Sequence, residues 1–186
     1  MKPIPWEPPY RYAPPRLIDV PSAWGGNEAV LKPLIEQFCE ETDIALEFGV
    51  EHGYSTVALS NFFQRVIGVD TFLGDIHTGK HDSYYPATKE RLLVYPNIEL
   101  VEASWQSWTA ANESEHADLI HVDIEHTYEQ TYGCLAWSVQ HAPVVIFHDP
   151  LSFADVMKSA EDVSEQFGLQ FYCWNWFAGL GILVHS

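Results

Sequence analysis

The chain has 186 residues, enough for one domain with a substantial core, and 47% of them are apolar. Its 26 acidic and 9 basic side chains give a formal net charge of −17, a surface that repels phosphate backbones and anionic lipid. Composition therefore argues against a disordered chain, a nucleic-acid binder and a membrane-surface protein.

In chain order, "MKPIPWEPPYRYAPPR" carries six prolines among Trp6, Tyr10 and Tyr12, which suits an extended arm and not a helix. Residues 1–20 are assigned to this arm and 21–186 to a single domain. The start of the chain has no apolar signal region, and no apolar run approaches the roughly 18 residues a membrane span needs. Cys39, Cys134 and Cys173 are far apart and form no CxxC pair. The expectation is a soluble, cytoplasmic protein with reduced, mostly buried thiols.

From Pro21, apolar residues at Ala29, Leu31, Leu34, Ile35 and Phe38 have helical spacing and predict one amphipathic helix. Short apolar runs then alternate with helical patterns. "IALEFG" reads as a strand, "YSTVALSNFF" as a helix, "RVIGVDTF" as a strand, and a polar loop leads to the strand "NIELVEA". "ADLIHVD" is a strand, "YEQTYGCLAWSVQ" a helix, "PVVIFHD" a strand and "FADVMKSAEDVSEQF" a helix. "LQFYCWNWF" and "GLGILVHS" close the chain, too near each other for a crossover, and so predict an antiparallel edge hairpin. The alternation predicts an α/β fold, a Rossmann-like three-layer sandwich around a mostly parallel sheet.

Ligands of such sheets bind outside the carboxyl ends of the strands. Those ends are Glu47 to Gly49, Asp70, Ala103-Ser104, Asp123 and His148-Asp149, and four of the five carry a carboxylate. Acids gathered on one rim repel one another unless a cationic ligand or a metal lies between them. The first strand–helix turn, "EFGVEHGYST", is no P-loop, because its glycines are one residue too close and no lysine follows. It is no dinucleotide fingerprint either, since Glu51 stands where a glycine is required. Gly49 would admit close backbone approach of a ligand, and Gly53 a tight entry into the helix. Asp70 lies about twenty residues on, where an acid grips ribose hydroxyls. The nine histidines show no zinc-site spacing.

"LEFGVEHGYST" with "IGVD" resembles the first two motifs of class I S-adenosylmethionine-dependent methyltransferases. "VDTFLGDIHTG", "DLIHVDIEHTYEQ" and "VVIFHDP" resemble a bacterial subgroup of small-molecule O-methyltransferases, near the macrocin-type and cephalosporin-hydroxylase-like proteins. The resemblance runs from about Gly25 to Gly181 and implies a seven-stranded sheet with the last strand antiparallel. It implies that Glu47, Gly49 and Gly53, with Ser55 behind them, frame the methionine part of S-adenosyl-L-methionine. Asp70 would take the ribose, and Ser104 and Trp105 the adenine. Asp123 and Asp149 would hold a divalent ion such as Mg2+, and His126 would be the general base, with His148 and His77 next in order.

The chain departs from that pattern at Ile124 and Glu125, in the missing Pro-Gly-Gly turn before the fifth strand, and at Pro150. A large appended substrate domain is not expected within these 186 residues. Recognition of a small-molecule acceptor would then fall to the arm, to a neighbouring subunit in a homo-oligomer, or to the polar loop from Leu73 to Tyr95, with Asp75 and His77 nearest the chemistry. The alternative is a repurposed fold member that binds an adenosine ligand without transferring methyl.

Overall fold

The computed structural model describes residues 2–185 apart from 75, 77, 78, 80 and 81. The elements in order are β1 (Ile4–Pro5), α1 (Glu28–Phe38), β2 (Ile44–Phe48), α2 (Tyr54–Leu59), β3 (Arg65–Asp70), α3 (Tyr85–Leu92) and β4 (Ile98–Glu102). They continue with α4 (Trp105–Ala111), β5 (Leu119–Val122), α5 (Tyr128–His141), β6 (Val144–His148), α6 (Ala154–Phe167), β7 (Gln170–Trp174) and β8 (Leu180–Val184). The strands form one sheet in the order β1-β7-β8-β6-β5-β2-β3-β4. Only β8 runs against its neighbours, antiparallel to both β6 and β7, as the close spacing of the last two runs requires.

The sheet has eight strands where the resemblance implied seven. The extra one is the arm itself, whose Ile4 and Pro5 pair with Tyr172 and Cys173 at the outer edge of β7. A proline is tolerated there because an edge strand need not donate on its outer side.

Alternating strand residues feed two cores. Phe48, Val122, Val145 and Leu183 pack with Leu135, Val139, Ala160 and Val163 of α5 and α6. Ala45, Leu119, Val144 and Ile182 pack on the other face with Leu31 and Leu34 of α1 and Leu59 of α2. Both faces are covered, which is the condition for a largely parallel sheet. Among the described residues no helix is long and apolar enough to cross a membrane.

Two helices escaped the periodicity reading. In α3, "YPATKERL", only Thr88 and Leu92 are buried, so there is no apolar stripe to see. The seven-residue α4 is started by Ser104, whose hydroxyl accepts from the Ser107 amide at 3.2 Å. α1 begins later than expected, after Gly26 at φ +100°, a conformation that ends any helix continuing from Pro21.

The arm is strapped along α1. Pro33 has no amide hydrogen, so it cannot donate to the carbonyl one turn before it, that of Ala29. The Tyr12 amide takes that acceptor at 2.8 Å. Trp6 is buried, with its indole donating to Gln37, and the Arg16 backbone and the Asn61 amide exchange hydrogen bonds at 2.8 and 2.9 Å. The chain then turns back toward the carboxyl rim of the sheet.

Candidate active site

A cavity of about 470 Å³ opens at the carboxyl ends of the strands, in the range of small-molecule sites. Gly49, Ser55, Asp70, Ser104, Trp105, Asp123, His126 and Asp149 line it, so eight residues singled out from the sequence come together. Asp75 and His77 lie outside the described residues.

Gly49 sits at φ +93°, and a Cβ there would fall 1.7 Å from the Asp123 carbonyl oxygen. The ends of β2 and β5 approach so closely that only glycine fits. Gly53 also has positive φ, at +88°, and caps α2. It does not line the cavity; a Cβ on it would meet Leu92 of α3 at 2.7 Å. In this fold it makes the helix entry, and the framing of the cavity falls to Gly49 and Ser55.

Glu47 requires a second correction. It is fully buried beneath the cavity wall, with one carboxylate oxygen against His121 Nδ1 at 2.9 Å and the other accepting from Thr56 Oγ1. Strand alternation turns its side chain into the α1–α2 layer, away from a ligand.

Asp70 reaches the cavity, but its carboxylate already works inside the protein. One oxygen accepts from the Val50 and Glu51 amides, both at 2.8 Å, and the other from the Phe72 amide at 2.7 Å. Those bonds hold the glycine turn, with Glu51 at φ +49°, in the shape of the cavity wall. Ser104 is committed as the cap of α4 while facing the cavity. The Trp105 indole donates to Gln130 Oε1 at 2.9 Å, which fixes its ring at the cavity edge.

Asp123, His126, His148 and Asp149 form one cluster on the cavity floor. His126 Nε2 lies 3.1 Å from Asp149 Oδ2 and 3.5 Å from Asp123 Oδ1. His148 Nδ1 lies 3.1 Å from Asp149 Oδ2 and 3.4 Å from Asp123 Oδ2. The His126 ring stacks on Phe153, with centroids 4.1 Å apart and planes 13° apart. Asp149 adopts φ +69°, a conformation a non-glycine residue holds only when its surroundings impose it. Its carbonyl accepts from the Ser152 and Phe153 amides, both at 3.1 Å, so the turn that aims Asp149 also places Phe153.

The charges in this cluster offset one another. Burial alone would depress both imidazoles, but hydrogen bonds and charge from the two aspartates raise His126 to about 9 and His148 to about 10. Burial alone would raise both carboxyls, yet the histidines hold Asp149 at about 2 and Asp123 below the ordinary carboxylate range. The chain supplies the countercharge from its own imidazoles.

His148 is the central partner that the motif reading set aside as a reserve base. The His-Asp pair at a strand end was its signal. The left-handed turn at Asp149 brings both round. Ser22, Ala23 and Trp24 also line the cavity, and no sequence pattern pointed to them.

Asp123, His148 and Asp149 each present one ligand atom, all within 4.8 Å of one another, so three positions of a coordination shell are in reach. Two carboxylates with one imidazole suit a borderline divalent ion better than magnesium, which favours oxygen alone.

A profile of a methyltransferase domain family matches residues 46–149, which span every strand end described above. No curated protein sequence matches the chain. Among solved structures, a Staphylococcus aureus protein described as a candidate caffeoyl-CoA O-methyltransferase shares the fold at TM-score 0.67 and 15% identity, over 91% of this chain and 86% of that one. An O-methyltransferase from Bacillus cereus solved with S-adenosylhomocysteine superposes at 0.63 and 15%, over 89% and 82%. An amino pentose methyltransferase from Micromonospora echinaspora, with S-adenosylmethionine bound, does so at 0.64 and 11%, over 89% and 92%. With more than half its length matched by that profile, on a fold shared with these enzymes, the chain belongs to the methyltransferase domain family.

Proposed function

We propose that the protein is an S-adenosylmethionine-dependent O-methyltransferase acting on a small hydroxylated acceptor. The imidazole–carboxylate cluster on the floor of the cavity carries this reading, because it puts a group able to take a proton on the cavity lining. S-adenosylmethionine supplies a methyl group on a cationic sulfonium. Glu51, Asp70, Asp123, Glu125 and Asp149 line the cavity, and among the described residues no lysine or arginine does, which complements that charge. The same lining and the net charge of −17 disfavour RNA as acceptor.

In the transfer, the acceptor oxygen forms a bond to the methyl carbon as the carbon–sulfur bond breaks, and the sulfur leaves as a neutral thioether. The proton released by the acceptor hydroxyl goes to the His126 imidazole, which stacks on Phe153 and whose Nε2 faces the two aspartates. Asp123 and Asp149 stabilise the imidazolium that results. His126 accepts a proton only in its neutral form, so turnover should rise with pH toward about 9.

A metal-assisted reading rests on Asp123, His148 and Asp149 lying within 4.8 Å of one another. A divalent ion there would anchor the acceptor oxygen and lower its pKa. Release of S-adenosylhomocysteine across a panel of hydroxylated acceptors tests the reaction. No release on any acceptor, despite tight binding of the cofactor, would favour a cofactor-binding protein instead. Turnover that survives a chelator removes the metal reading and leaves the base.

A further inference from the structure

The centre of the sheet holds a polar pair in a place where parallel strands are otherwise apolar. Glu47 of β2 and His121 of β5 are direct cross-strand partners, and both are fully buried. Two more buried groups complete a chain of hydrogen bonds. The Trp24 indole donates to His121 Nε2 at 3.0 Å, and Thr56 of α2 donates to Glu47. An indole is a donor only, so His121 Nε2 must accept; Nδ1 therefore carries the proton and donates to Glu47 Oε1 at 2.9 Å. The Trp24 and His121 rings also meet edge to face, 5.4 Å apart.

Each member of this chain adjoins a cavity wall. Trp24 lines the cavity with Ser22 and Ala23, Glu47 lies two residues before Gly49, Thr56 follows Ser55, and His121 lies two residues before Asp123. Buried polar groups are unfavourable in a core unless every partner is present, and here one relay ties four separate segments of the site together. We infer that Trp24, His121 and Glu47 are positioning residues, which hold the wall Ser22–Trp24, delivered by the N-terminal strap, against the glycine turn of the site. Trp24 thereby becomes part of the binding apparatus, as a residue of the cavity wall whose indole nitrogen faces the relay.

The inference rests on the methyltransferase reading only for the choice of S-adenosylhomocysteine as probe. Hydrogen exchange over residues 20–26 is to be measured without ligand, and S-adenosylhomocysteine affinity by calorimetry, in Trp24→Phe, His121→Leu and His121→Gln. Trp24→Phe keeps a ring and removes the donor, and so remains informative if His121→Leu does not accumulate. Removing one partner of a buried polar bond should speed exchange and weaken affinity by about tenfold in Trp24→Phe and His121→Leu. His121→Gln, which keeps a donor and an acceptor, should stay close to wild type. Phe171→Leu, in the opposite core, serves as the control that loses stability without moving either readout. Unchanged exchange in Trp24→Phe overturns the inference, and so does faster exchange with unchanged affinity, since the wall would then not serve the site. If wild type takes up no S-adenosylhomocysteine the methyltransferase reading falls, while the ligand-free exchange still decides the relay.

Discussion

Single residues in this site carry consequences that their types alone do not reveal. At Gly49 a methyl group would overlap the Asp123 carbonyl at 1.7 Å, and the backbone is left-handed. Gly49→Ala should destabilise the protein by about 3–5 kcal/mol, the upper range for single substitutions. A change under about 1 kcal/mol in urea unfolding would mean that the β2 and β5 ends separate freely. The histidines make a pH prediction with a definite sign. His126 and His148 rise from the usual 6.5 to about 9 and about 10, so the folded state holds their protons more tightly than the unfolded chain does. The stability they contribute is complete below 6.5 and is lost as pH rises through about 9 to 10. Asp149, at about 2, contributes the same contacts from the acid side, and they disappear as pH falls from 3.8 toward that value. The melting temperature of ligand-free protein should therefore fall between pH 7 and 10, and a His126→Gln, His148→Gln double variant should lose most of that slope. Turnover should move in the opposite direction over the same range, because only neutral His126 accepts a proton.

At the scale of elements, the Asp70 turn and the arm are the informative cases. Asp70 was read as the grip on ribose, yet it accepts three backbone amides that shape the turn between β2 and α2. Asp70→Ala should then lower the stability of ligand-free protein by about 1–3 kcal/mol as well as weaken cofactor binding. Full stability with weakened binding would return the residue to a purely ligand-facing role. The strap depends on a helix defect: Pro33 leaves the Ala29 carbonyl to Tyr12. Pro33→Ala would add an amide that competes for that acceptor inside α1. Tyr12 should then lose hydrogen-exchange protection, while the helix gains stability from a bond that proline removed. Unaltered protection at Tyr12 would show that Trp6 and Arg16 alone hold the arm.

For the whole molecule, the proposed cofactor provides the global test. A ligand present at a hundred times its Kd stabilises the folded state by about 2.7 kcal/mol. S-adenosylhomocysteine should therefore raise the melting temperature by several degrees at saturation, and NAD+ should not, since the dinucleotide fingerprint is absent. Stabilisation by NAD+ in place of S-adenosylhomocysteine would refute the methyltransferase assignment of the cavity.

Much of this molecule was legible in order along the chain. Strand–helix alternation, the closing hairpin and the acids at strand ends follow from local patterns of two and 3.6 residues, which sequence displays directly. The family resemblance added an expected role for those ends, and most of them meet around one cavity. What local pattern does not encode is which way a buried polar group turns and what it meets. Glu47 looked like a ligand of the cavity and instead completes a pair with His121, 74 residues away, because strand register put them opposite each other. His148 joined the cluster through a left-handed turn at Asp149. Trp24 meets His121, 97 residues on, through an indole hydrogen bond that no local pattern announces. Spacing along the chain thus determined the elements and the rim, while the partners of each polar side chain were decided by packing across the sheet.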